Sequence, residues 1–196
     1  MFIPILLDGS GSMSSLWQEA ISSINMYVKK LKMSDVIHMV IFSGNEYKVV
    51  RDCKVKDWID VSPDEYIPGA MTPLYDACGK IMQTAEKKNT KKTMLIIMTD
   101  GHENNSKEYT NATITAKMKD FDNRGWEVIF LGANFDNVDL VSSSLGRTSN
   151  KTINYSSGNF MRGMESLADS TLAYASGVSV NFDATLKDSL ATPEAK

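Results

Sequence analysis

The strongest constraint on this chain is a regular alternation of strand-length apolar runs with helical stripes, interrupted once. Phe2–Leu7, Val36–Phe42, Thr93–Thr99 and Trp126–Gly132 are nearly continuous apolar runs, the pattern of strands covered on both faces. Between them, apolar residues recur at three- and four-residue steps: Leu16, Ala20, Ile21, Ile24, Tyr27, Val28 and Leu31; then Leu74, Ala77, Cys78, Ile81, Met82 and Ala85; then Ile114, Met118 and Phe121. That spacing lines one face of a helix. Alternating strands and helices predict an α/β chain with a doubly wound, Rossmann-like, mostly parallel sheet and helices on both faces. The interruption is Ser43-Gly44-Asn45, which alone separates the second strand from Glu46–Val50. A parallel crossover needs a dozen or more residues. The third strand is therefore expected to be antiparallel, at the sheet edge.

Boundaries follow from local chemistry. Ser15 with Gln18 predicts a capping box before the first helix. Thr72 suits the N-cap, and Pro73 the first position, of the second helix. Residues 51–71 read as irregular, and 111–123 as a polar helix. A short helix is expected over Asp136–Leu145, a sixth strand over Lys151–Ser156 and a last helix over Asn159–Tyr174. The pattern fades from Gly177. One domain over residues 1–176, with a partly flexible extension over 177–196, is the expectation. A chain of 196 residues fits that, and buries roughly 70% of its extended-chain surface without staples.

The net charge is -3 and no long basic run is present, which argues against nucleic acid or an anionic membrane as the main partner. Cys53 and Cys78 are too few for a disulfide scaffold and too far apart for a zinc knuckle, so free thiols are expected. No apolar run approaches the ~20 residues that span a bilayer. Met1–Leu7 lacks a basic start and a small-residue cleavage site, and reads as a first strand rather than a signal peptide. A cytoplasmic protein is expected.

Three segments stand where strands end or helices begin: Asp8-Gly9-Ser10-Gly11-Ser12, "GAMTPLYD" from Gly69 to Asp76, and "TDGHEN" from Thr99 to Asn104. In open α/β sheets, ligands collect at the carboxyl ends of the strands where strand order reverses. If it reverses between the first and fourth strands, Asp8 and Asp100 lie side by side. Two carboxylates and up to three hydroxyls, Ser10, Ser12 and Thr72, form a hard oxygen donor set. It suits Mg²⁺, Mn²⁺ or Ca²⁺ rather than zinc or copper, and the glycines let the loop fold tightly. Blander roles stand beside this one. The serines could satisfy helix N-terminal amides, Thr72 could be only a cap, and Asp76 could offset the helix dipole. His102 and Glu103 could be rim residues that tune partner choice or merely an exposed loop, and His38 reads as structural.

Asp-x-Ser-x-Ser after a first strand, a threonine on Thr-Pro-Leu-Tyr-Asp, and Thr-Asp-Gly after the fourth strand together resemble the von Willebrand factor type A domain. The resemblance covers roughly residues 1–175. It implies a six-stranded sheet with an antiparallel third strand. It also implies a metal-ion-dependent adhesion site made of Asp8, Ser10, Ser12, Thr72 and Asp100. The hydroxyls would bind metal directly, and the aspartates directly or through water. Two carboxylates balance a divalent cation, which stays a Lewis acid with one position to fill; the resemblance implies that an Asp or Glu of a partner protein fills it. In related domains the last helix can shift as the site changes state.

The resulting expectation is a metal-dependent protein-binding module, not an enzyme, of bacterial or phage origin. Its oligomeric state is left open. Two alternatives remain: an assembly subunit whose site is filled by a neighbouring chain, and a Mg²⁺-dependent hydrolase with Glu103 as the one candidate base. Other enzyme motifs fail. Ser14 stands where a dinucleotide loop needs its third glycine, and no Gly-Lys-Ser/Thr forms a P-loop. Ser10 stands where a haloacid-dehalogenase-like phosphatase needs aspartate, and no histidine follows His102 to serve a serine hydrolase.

Overall fold

A computed structural model describes residues 1–100, 103–133, 145, 151–155 and 159–181. Six strands form one sheet: β1 (Phe2–Asp8), β2 (Val36–Ser43), β3 (Glu46–Lys54), β4 (Met94–Thr99), β5 (Glu127–Ala133) and β6 (Thr152–Tyr155), in the order β3-β2-β1-β4-β5-β6. All neighbours are parallel except β2 and β3. The hairpin therefore lies at the edge, as its short link requires. Strand order reverses between β1 and β4, whose central pairs are Ile5–Ile96, Leu6–Ile97 and Leu7–Met98.

The helices are α1 (Trp17–Lys29), α2 (Leu74–Lys88), α3 (Asn111–Asn123) and α4 (Phe160–Ala175). Alternate side chains of β1 feed two cores. Ile3, Ile5 and Leu7 join α1 and α4 on one face of the sheet. Phe2 and Leu6 join α2 and α3 on the other. Period-two alternation on a strand covered twice is the reason that every β1 residue is buried. The lower end of α4 is tied to the sheet. Lys92 Nζ donates to the Tyr174 and Ala175 carbonyls, and the Tyr27 and Thr171 hydroxyls share a bond of 2.9 Å. Among the described residues no helix is long and apolar enough to cross a membrane.

Several boundaries differ from expectation. The Ser15–Gln18 capping box does not form: a 3-10 turn over Gly11–Ser15 precedes α1, and Leu16 occupies its N-cap without a side-chain bond. β3 continues to Lys54 rather than stopping at Val50, because a bulge opposite Met39 and Val40 absorbs one residue and the pairing resumes to Val36–Lys54. Its charged outer face, with Lys48, Arg51, Asp52 and Lys54, suits an edge strand. The rest of 51–71 contains two further 3-10 turns, Val55–Asp57 and Pro63–Glu65. β6 and α4 start one residue later than expected. Of the predicted helix over 136–145, only the buried Leu145 is among the described residues, and 182–196 lie outside them.

His38 is buried within β2, 3.5 Å from Asp52, and burial holds its pKa below the ordinary value against the pull of that carboxylate. Cys53 and Cys78 are free thiols, half-buried and buried respectively.

Candidate functional site

β1 ends at Asp8 and β4 at Thr99, next to each other at the reversal point. Asp8 is fully buried. Its Oδ1 accepts from the Ser10 amide at 2.8 Å and its Oδ2 from the Thr99 hydroxyl at 2.6 Å. Burial pushes the Asp8 carboxyl up to about 6, with the Thr99 and Ser10 bonds working in the opposite direction. Burial also raises the pKa of Asp100, partly offset by Ser12. Each aspartate thus carries a desolvation cost that a cation would relieve.

The hydroxyls join the two carboxylates. Ser10 Oγ lies 3.1 Å from Ser12 Oγ, which donates to Asp100 Oδ1 at 2.8 Å. Adjacent oxygens around a six-coordinate Mg²⁺ are about 3.0 Å apart, given bonds of about 2.1 Å. The observed spacings are those of neighbouring corners of such an octahedron, so the donor set fits a small hard cation. Among the described residues no three His, Cys, Asp or Glu side chains cluster as a metal site. A cation here would rest on two carboxylates and neutral hydroxyls, the charge balance expected from the sequence.

Thr72 reaches this end of the sheet by a different route. The expected cap is not realised: α2 begins at Leu74, Pro73 occupies the N-cap, and no side-chain cap is present. Thr72 is buried, and its amide donates to Asn104 Oδ1 at 2.8 Å while its carbonyl accepts from the Leu74 and Asn104 amides. Among the described residues its hydroxyl makes no hydrogen bond, so none joins it to the other four residues. Its loop is nonetheless fastened to theirs. Gly69 N donates to Gly9 O at 2.8 Å, and Gly11 N to Ala70 O at 3.3 Å.

The glycines of the first loop act differently from expectation. Neither Gly9 nor Gly11 has a positive φ. Gly9 is required by close approach: a Cβ there would lie 2.6 Å from the Tyr66 ring and 2.8 Å from Ile41. Gly11 merely opens the 3-10 turn, and a Cβ on it would meet nothing nearer than 3.9 Å.

Residues that pattern reading left out complete the site. Thr99 holds Asp8, and Asn104 holds Thr72. Glu103, expected on the rim, instead accepts from the Tyr75, Asn105 and Ser106 amides and the Ser106 hydroxyl, which caps the start of α2. Asp76 does more than offset a dipole. It accepts from the Lys107, Glu108 and Tyr109 amides; burial works to raise its pKa, but these bonds hold it below the ordinary value. The two carboxylates clamp the loop after β4 to α2. Only proximity in "TDGHEN" hinted at this, since a polar loop residue has no periodicity to betray its partner. His102 lies outside the described residues.

Comparison with known proteins agrees with this architecture. The type V pilus tip protein Mfa5 from Porphyromonas gingivalis contains a vWF domain that superposes with TM-score 0.64 at 12% identity, covering 100% of this chain and 97% of that one. The pilus adhesin SpaC from Lactobacillus rhamnosus GG gives 0.63 at 13%, covering 86% and 29%. Proximal thread matrix protein 1 from the mussel byssus, in a structure described as having a zinc-occupied MIDAS motif, gives 0.63 at 18%, covering 85% and 46%. The chain thus spans less than half of the byssus protein, and at these identities the likeness shows the fold alone. No curated protein is similar at a significant level. The sequence itself matches the von Willebrand factor type A domain over residues 3–169. The chain belongs to the von Willebrand factor type A domain family.

Proposed function

We propose that this chain is a divalent-metal-dependent protein-binding module. Asp8, Ser10, Ser12, Thr72 and Asp100 hold Mg²⁺, with Mn²⁺ or Ca²⁺ as substitutes, and an Asp or Glu of a partner protein completes the coordination. The observation that carries this reading is the chain Ser10–Ser12–Asp100, whose contacts of 3.1 and 2.8 Å have octahedral spacing and end on a desolvated carboxylate. The bound cation supplies a Lewis-acidic point that a carboxylate can occupy. Ser10 and Ser12 present neutral oxygens to it. Asp8, already accepting from Ser10 N and Thr99, orients the loop and supplies negative charge directly or through water. Asp100 supplies the second charge from β4.

The binding reading is favoured over metal-assisted hydrolysis by Glu103. Hydrolysis needs a base positioned to take a proton from water. The one carboxylate that the sequence offered for that task is engaged by four donors of α2 and its own loop. The family's neighbours by fold include adhesins of pili, which supports a binding role by analogy only.

A pull-down from lysate in Mg²⁺ buffer, with EDTA and Asp100→Ala as parallel controls, tests the proposal. Partners captured by the wild type in Mg²⁺ and lost in both controls are expected. Equal capture in EDTA contradicts it. Light scattering of the purified chain with and without Mg²⁺ identifies the case in which the partner is a second copy.

A further inference from the structure

Exposed apolar side chains stand beside the candidate metal site. Ile67 is 86% exposed, more than any other large apolar residue among those described, and Met71 is 50% exposed. Pro68 and Ala70 lie between them, half-exposed and exposed. An exposed apolar loop can be tolerated simply because it is loose, but this one is held at several points. Gly69 N donates to Gly9 O, Gly11 N to Ala70 O, and Gly44 N to Met71 O at 2.8 Å, while the Ser43 hydroxyl donates to Gly69 O. The Tyr66 ring packs against Trp17 at 5.7 Å and against the space over Gly9. Ala70 is kept at φ +62°, a region disfavoured for any residue with a Cβ. Such strain persists only where the surroundings over-determine it, and it concentrates at ligand-binding segments.

These restraints tie the apolar loop to the loop that carries Ser10 and Ser12, and Met71 immediately precedes Thr72. The apolar surface is therefore fixed relative to the metal site. A metal ion by itself accepts any accessible carboxylate, so it provides binding without discrimination. A rigid apolar surface next to it adds a second recognition point at little ordering cost, since the loop is already in place.

We propose that Ile67 and Met71 form the docking surface for a bulky aliphatic or aromatic side chain lying within two residues of the metal-binding carboxylate, in an extended segment of the partner. Successive Cα atoms of such a segment are about 3.8 Å apart, so a side chain at this separation reaches the loop that abuts the site. The inference rests on the metal-dependent reading above and specifies the chemistry of its partner.

The test is selection of a phage-displayed random dodecapeptide library on the wild-type chain in MgCl₂, with elution by EDTA, repeated on the Ile67→Ser/Met71→Ser variant. Both replaced side chains are exposed, so the variant is expected to keep the wild-type melting temperature. Peptides eluted from the wild type should combine an Asp or Glu with a bulky apolar residue within two positions. On the variant that apolar preference should vanish, and a selected peptide should bind at least about tenfold more weakly. The Mg²⁺-induced thermal shift should be unchanged. EDTA-eluted peptides with an acid but no apolar bias, or the same bias on the variant, overturn this inference and leave the metal reading standing. An absence of EDTA-eluted peptides overturns both. Self-association that survives EDTA and is lost in the variant assigns the surface to a second copy and overturns the two-point mode.

Discussion

The burial of Asp8 makes a signed prediction about stability and pH. Its carboxyl is raised from an ordinary 3.8 to about 6, chiefly by burial. The folded state therefore binds this proton more tightly than the unfolded state does. The contribution favours folding fully below pH 4 and is lost as pH rises through 6. The gap corresponds to about 3 kcal/mol. His38 works in the opposite direction, because burial lowers its pKa and stability is lost as pH falls through its unfolded value. Glu65, held near 2 chiefly by Arg51, contributes only in a lower window. Asp8→Asn isolates the effect. Its side chain mimics the protonated acid, and it can accept from Ser10 N while the Thr99 hydroxyl rotates to receive its amide. Urea unfolding in EDTA from pH 4 to 8 gives the difference between wild type and variant, in which His38 and Glu65 cancel. The wild type should lose about 3 kcal/mol relative to Asp8→Asn between pH 4 and 7. Excess Mg²⁺ should restore it above pH 6, by about 2.7 kcal/mol at one hundred times the Kd, and should do little at pH 4.5, where the ligand is protonated. A difference that stays flat with pH refutes the claim that Asp8 is a desolvated carboxylate.

Other perturbations separate the roles of neighbouring residues. Gly9→Ala should cost about 1–3 kcal/mol by overpacking against Tyr66 and Ile41, whereas Gly11→Ala should be neutral or stabilising by up to about 1 kcal/mol; equal costs in chemical denaturation would contradict the close-approach argument. Thr99→Val removes the hydroxyl on Asp8 Oδ2 and should cost about 1.5–3 kcal/mol at pH 8 in EDTA, while shifting the Asp8 titration to still higher pH. Glu103→Ala leaves the Tyr75 and Ser106 donors without their acceptor and should destabilise by about 1–2 kcal/mol, with faster amide exchange over 103–109; catalytic loss without destabilisation would instead mark it as a base.

The sheet was readable in the sequence because its signals are periodic. Strands buried on both faces appear as apolar runs, and the three-residue link Ser43–Asn45 forced the antiparallel edge. The approximate position of every described helix followed from its stripe. What failed was contact chemistry between distant segments. Ser15 and Gln18 matched a local motif, but the loop below them tightened into a 3-10 turn first. Thr72 looked like a cap because caps are local, whereas its amide is held by Asn104, which arrives from β4. Glu103 and Asp76 looked like rim and dipole residues, and each instead satisfies backbone amides across the gap. Asp8 and Asp100 could be placed together only through an assumption about strand order, which the topology supplies. The glycines were noticed for the right loop and the wrong reason, since crowding by Tyr66 lies far off in sequence.

The central claim is that five side chains hold one hard cation. The most direct measurement is anomalous diffraction from crystals grown in MnCl₂. The account predicts a single strong manganese peak bonded to Ser10 Oγ and Ser12 Oγ at about 2.1–2.2 Å, within one water of Asp8 and Asp100, and absent in Asp100→Ala. A peak elsewhere, or density at this position unaffected by the Asp100→Ala change, would contradict it.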